Sequence, residues 1–230
     1  MVNIDTVYQR VLAIANKEQR GYITPQEFNL FASQAQMEIL EQYFYDLNQF
    51  SRIPGNEGSY HDMLDLIDEK LDPFKQVVTL PVNASGIIEL ENDLYKLGSV
   101  FTIGSIEVER ITMKQLRLIE TSTLTTPTSS NPVYVGTSNN SIQVSPSSLT
   151  ISNYEYIRMP IKPNWGYVVM NDRALYDPSS NKTTHFELHR AEEVELVYKI
   201  LKLAGVAIQK QELAAFANQM DLQKEQKEKQ

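Results

Sequence analysis

The sequence predicts an α+β protein, with a helical domain formed by its N- and C-terminal helices and a β-rich insertion between them. Near both ends of the chain apolar residues recur at helical spacing, three or four positions apart. Between about Gln76 and Leu188 the spacing shifts to every second residue, with frequent turn residues. The expected division is 1–72 for the N-terminal helices, 73–188 for the β-rich insertion with one short helix, and 189–230 for the closing helix and a polar tail.

The first helix places Ile4, Val7, Tyr8, Val11, Ile14 and Ala15 on one face, and either Asn3 or Asp5 can cap it. A second helix is expected from Thr24 to about Asn48. One stripe holds Phe28, Phe31, Ala32, Ala35, Ile39 and Tyr43. A second stripe, roughly opposite, holds Leu30, Met37, Leu40, Phe44 and Leu47. A helix apolar on two sides is either the central helix of its domain or meets another subunit, which makes the second stripe the candidate inter-subunit face. "SRIPGNEGSY" then reads as a loop, followed by a helix with Met63, Leu64, Ile67 and Leu71 inward that stops at Asp72-Pro73.

Candidate strands in the insertion are QVVTLPV, GIIEL, SVFTI, SIEVERI, PVYVG, SIQVS, YEYIRMP, GYVVM and HFEL. "VYVGTSNNSIQV" predicts a hairpin with a five-residue loop. Thr112 and Gln115 form a capping box that opens a short helix through Ile119, and "TSTLTTPTSSNP" reads as a polar surface loop or an extended arm. The closing helix is expected from about Arg190 to Ile208, with Val194, Leu196, Val197, Ile200, Leu201, Leu203, Ala204, Ala207 and Ile208 covering one half. Glu195, Lys199 and Lys202 are placed outside at pairing distances, and Glu192 and Glu193 fall in the first turn, where the helix dipole favours them. Beyond it, "DLQKEQKEKQ" has no apolar face.

With 230 residues the chain is long enough to bury a sizeable core, and a hydrophobic content of 42% is ordinary for a globular protein. No apolar run approaches the length of a membrane span, and the first residues lack the pattern of a secretory signal, so a protein made in a reducing cytosol is expected. The absence of cysteine fits that setting and excludes disulfides and thiolate-bound metals. The three Asn-X-Ser/Thr sites are then chance matches. A net charge of −8 without a basic cluster argues against sequence-specific nucleic-acid binding, which needs concentrated cations.

"NKEQRGYITPQE", residues 16–27, has the punctuation of a calcium-binding helix-loop-helix, with Gly21 sixth, Ile23 eighth and Glu27 twelfth. The fifth position, however, is Arg20, a fixed positive charge where a cation would sit. Helix-start chemistry explains more of these residues. Thr24 is the N-cap, Pro25 the first helical residue, and Glu27 reaches back to the cap. Ile23 and Phe28 form a hydrophobic staple, and Gly21 permits the chain reversal. His185, His189 and Glu193 would form a metal face on one continuous helix. "THFEL" alternates like a strand, so the two imidazoles should diverge and serve as surface or capping groups. Asp62, Asp65, Asp68 and Glu69 lie along one helix, and the last three read as its solvated face. Trp165 reads as a packed anchor at the start of a strand. No phosphate loop, nucleophile elbow or cysteine nucleophile is present, so no enzyme and no cofactor is expected.

Four stretches together carry a resemblance: "ANKEQRGYITPQEFNLFASQAQMEILEQYFYD", "NPVYV", "YIRMPIKPNWGY" and "HFELHRAEEVELVYKILKLAGVAI". They resemble virion ring, or adaptor, proteins of crAss-like and related tailed bacteriophages, which join head to tail beneath the portal. The similarity covers about half of the chain. It implies a podovirus-adaptor-like fold and a ring-forming, dodecameric subunit of the neck. Its partners would be the portal protein, identical subunits in the ring and other neck or tail ring proteins. It further implies a portal contact through residues 209–230, with Leu213, Phe216 and Met220 as candidate anchors. The implied location is the virion neck or tail, and the host cytoplasm during assembly, with no membrane partner. An acidic ring lumen would let genomic DNA pass without sequence-specific binding. The alternatives are a non-enzymatic glycan- or cell-surface-binding tail module, which needs exposed aromatic platforms, and a lower neck ring contacting the tail hub.

Overall fold

A computed structural model describes residues 1–17, 23–50, 58–80, 86–122, 124–138, 140–179, 181–207 and 219. It is a mixed α+β chain. The first elements are α1 (Ile4–Lys17), α2 (Pro25–Phe50) and α3 (Gly58–Leu71). Next come β1 (Lys75–Thr79), β2 (Ile87–Glu89), β3 (Leu94–Thr102), β4 (Glu109–Arg110) and α4 (Met113–Thr121). Strands β5 (Val133–Ser138), β6 (Ser141–Ser145), β7 (Ile151–Arg158), β8 (Tyr167–Met170) and β9 (Arg173–Tyr176) follow, and α5 (Glu193–Ala207) is the last element. The chain divides into two compact units, one of Met1–Pro73 with Pro160–Gln230, the other of Phe74–Met159.

In the first unit, α2 packs against α3 and α5, and α1 packs against α5. Asn3 caps α1: its Oδ1 accepts from the amides of Asp5 at 2.9 Å and Thr6 at 3.4 Å. Ile4, Val7, Tyr8, Val11 and Ala15 are buried, while Ile14 is half-buried. Buried Phe28, Ala32, Ala35 and Ile39 on α2, with Leu196, Ile200, Leu201 and Ala204 on α5, make up much of this unit's apolar interior. The expected strand HFEL is reduced to one residue: Phe186 exchanges backbone hydrogen bonds with Val2, at 3.1 and 3.2 Å. Helix α3 ends before Asp72-Pro73 as proline requires, but it begins at Gly58, inside the expected loop.

Two antiparallel-rich sheets, ordered β1-β7-β3 and β2-β6-β5-β4, form the second unit. Ile88, Val100, Tyr134, Ile142, Val144 and Tyr154, drawn from both sheets, meet in one core. Helix α4 covers the other side of β5, where Leu116 packs with Val133 and Val135. Covering on both faces explains why Val133, Tyr134 and Val135 are buried in succession. The capping box of Thr112 and Gln115 is present, and α4 runs two residues further than expected. The β5–β6 hairpin pairs Ser138 with Ser141, so its loop has two residues rather than five. SIEVERI shrinks to the two-residue β4, paired parallel to β5, and an isolated bridge at Glu107.

Two sequence expectations are corrected by packing, and one strand lies outside the expected set. Residues 160–188 group with the helices, so the β-rich unit ends at Met159 rather than 188. The segment 173–176 pairs as β9 although its exposed and half-buried residues show little apolar alternation. Glu195 and Lys199 are buried rather than outside.

Candidate interaction surfaces

Trp165 is the anchor of the hairpin formed by β8 and β9. Only 2% exposed, it stacks with Tyr167 and Tyr176 at centroid separations of 5.9 and 5.7 Å, and it also meets Tyr8 of α1 at 4.2 Å. Tyr8 in turn meets Phe28 edge-on at 4.7 Å. The indole Nε1–H donates to Asp5 Oδ1, and the Trp165 amide donates to Asn29 Oδ1 at 2.7 Å. One buried aromatic thus ties α1, α2 and the hairpin together. Gly166 is needed beside it, since an added Cβ would lie 2.7 Å from the Lys182 carbonyl oxygen and from Thr183 Oγ1.

A second brace is polar. Gln36, buried on α2, donates to the Ile161 carbonyl at 2.9 Å and accepts from the Glu187 amide at 3.1 Å. The Glu187 carboxylate accepts from the Ile161 amide at 2.8 Å. The segments flanking the hairpin are therefore fastened to α2 at both ends. Asn29, Gln36 and Glu187 were not legible as site residues, because nothing in their spacing distinguishes a buried amide or carboxylate from a solvated one.

What this anchoring presents to solvent is apolar. Asn171 and Asp172, with φ of 50° and 58°, make the turn of the hairpin. Val168, Met170 and Leu175 are exposed, as is Val169 at 62%. A two-stranded ribbon has two unpaired edges and too few strands to bury both of its faces. On the neighbouring helix Leu30 is 71% exposed.

The second stripe of α2 does not form one outward face. Leu40 is fully buried, because it borders the arc occupied by Gln36 and Tyr43, both also buried. Met37, Phe44 and Leu47 are half-buried, which leaves Leu30 alone fully outward. The capping geometry at 24–28 matches its chemistry. The Thr24 amide donates to Glu27 Oε2 at 2.9 Å, and the Glu27 amide donates to Thr24 Oγ1 at 3.3 Å. Pro25 opens α2, and Ile23 and Phe28 are buried. Gly21, and the candidate portal anchors Leu213, Phe216 and Met220, lie outside the described residues, as does Arg20.

The histidines serve separate backbone groups. His185 Nδ1 accepts from the Ile4 amide and His189 Nδ1 from the Ala191 amide, each at 3.3 Å. Glu193 pairs with Arg10 at 2.9 Å. Among the described residues no cluster is placed to hold a metal ion, and no helix is long and apolar enough to cross a membrane.

No protein-family model matches the chain, and no curated protein matches it.

Proposed function

We propose that the chain is a structural ring subunit of a tailed-phage neck, a podovirus-adaptor-like head-to-tail connector that binds the portal protein and forms part of the DNA channel. The observation that carries this reading is the β8–β9 hairpin. Its base is fixed by Trp165, Gln36 and Glu187, while Val168, Val169, Met170 and Leu175 face solvent. A rigid mount for an exposed apolar ribbon suits permanent docking onto another protein. The helical unit, built from both ends of the chain around a β-rich insertion, supports the same reading. Burial of Trp165 removes the one tryptophan from service as a sugar-stacking platform, which weighs against a glycan-binding tail module.

Electron microscopy of the purified chain mixed with the portal of its parent phage tests the proposal. A ring of this protein seated beneath the portal is expected. A Val169→Asp/Met170→Asp variant should keep its fold and lose that contact. A chain that neither binds the portal nor appears in the neck of a reconstructed virion would refute the assignment.

A further inference from the structure

We infer that copies of this chain join head to tail, the acidic outer face of α3 on one copy meeting the basic outer face of α4 on the next. This rests on the ring reading above and names the surfaces that would build it. On α3, Asp65 and Glu69 are exposed four residues apart beside Leu66, itself 52% exposed. On α4, Lys114 and Arg117 are exposed three residues apart beside Leu118, 63% exposed. Among the described residues none of these four charges has an ion-pair partner in its own chain.

Each face thus carries two like charges one helical turn apart, an arrangement that is mildly unfavourable in isolation. Brought together, the faces are opposite in sign, similar in spacing, and carry one exposed leucine each. Carbon positions one turn apart on a helix are about 5–6 Å from each other, so both ion pairs can form with the leucines beside them. Opposed signs on the two faces also forbid α3 from meeting α3 and α4 from meeting α4. The contact is therefore heterologous, the kind that repeats around a ring when its rotation closes. Two short helices cover less than a standard protein interface, so one contact alone is weak and closure of the ring supplies the avidity.

The test is charge reversal in the full chain, read by sedimentation velocity over a concentration series at low salt. The wild type should rise above its monomer mass of 26.3 kDa and fall back toward it as salt is added. Lys114→Glu/Arg117→Glu and Asp65→Lys/Glu69→Lys should each weaken association by about 30-fold or more, with unchanged circular dichroism and melting. Mixing the two variants, or combining all four changes in one chain, should restore it. A wild type that stays monomeric at its highest soluble concentration overturns the inference, as does association that neither reversal changes. In that second case the ring reading survives on another face. Portal binding, followed by microscopy on the same samples, reports on the ring reading separately.

Discussion

Trp165 Nε1 donates a 2.9 Å hydrogen bond to Asp5 Oδ1, joining the base of the β8–β9 hairpin to the first turn of α1 across 160 positions of sequence. The ring is buried among Tyr8, Tyr167 and Tyr176, so its loss removes both packing and a tether. Trp165→Ala should destabilise the protein by about 3–5 kcal/mol. Trp165→Phe keeps most of the contacts, loses the hydrogen bond, and should cost about 1 kcal/mol. Urea titration gives both values, and hydrogen exchange should show the hairpin amides opening first in the alanine variant.

The helix start at Thr24 makes a pH-dependent contribution. Hydrogen bonds from the Thr24 amide and hydroxyl hold the Glu27 carboxyl below the usual carboxylate range. A lowered pKa means this stabilisation is present above the ordinary glutamate range and is lost as pH falls through the depressed value. Thr24→Ala should cost about 1 kcal/mol at neutral pH and flatten this part of the acid limb. Thermal unfolding of wild type and variant between about pH 6 and pH 3 checks both expectations.

In the β-rich unit the sign is reversed. Burial, then a 3.1 Å hydrogen bond donated to Asp93 Oδ1, pushes the Tyr156 hydroxyl up to about 12. The unfolded chain releases this proton near the ordinary tyrosine value, so stability is intact below about pH 10 and declines as pH rises through about 12. Tyr156→Phe should cost about 1 kcal/mol at neutral pH and lessen the alkaline decline. Melting temperatures across that range, compared between the two proteins, decide the point.

How much of this was legible beforehand depended on whether the signal was local. The two capping boxes, the proline stop after Leu71 and the inward face of α1 follow from neighbouring residues, and they stand where spacing puts them. Trp165 was legible as an anchor because an indole is rarely left in water, although its partner Asp5 was not. Long-range packing was hidden. Lys199 reads as a solvated charge, yet it lies buried 3.6 Å from Glu195 and donates to Gln42 on α2 at 3.3 Å. Leu40 reads as half of an outward stripe, yet the width of the covered arc draws it inward. Strand β9 offered only Asn171-Asp172, two residues that tolerate the left-handed region, as its turn signal.

The least legible tie gives the sharpest stability test. Lys70 at the end of α3 lies 2.9 Å from the buried Glu192 carboxylate just before α5, and its ammonium sits 5.3 Å from the centre of the Tyr43 ring on α2. One cation therefore holds three helical segments. Exposed ion pairs contribute little, but Glu192 is almost wholly buried, so removing its cation leaves a desolvated charge less well compensated. Lys70→Ala should cost about 1–3 kcal/mol in urea unfolding. Lys70→Met restores the aliphatic stem without the charge. Were packing the main contribution, Met would recover most of the loss. The burial of Glu192 instead predicts that Met stays near Ala and that adding Glu192→Gln recovers part of the stability, because the amide removes a buried charge that has lost its cation.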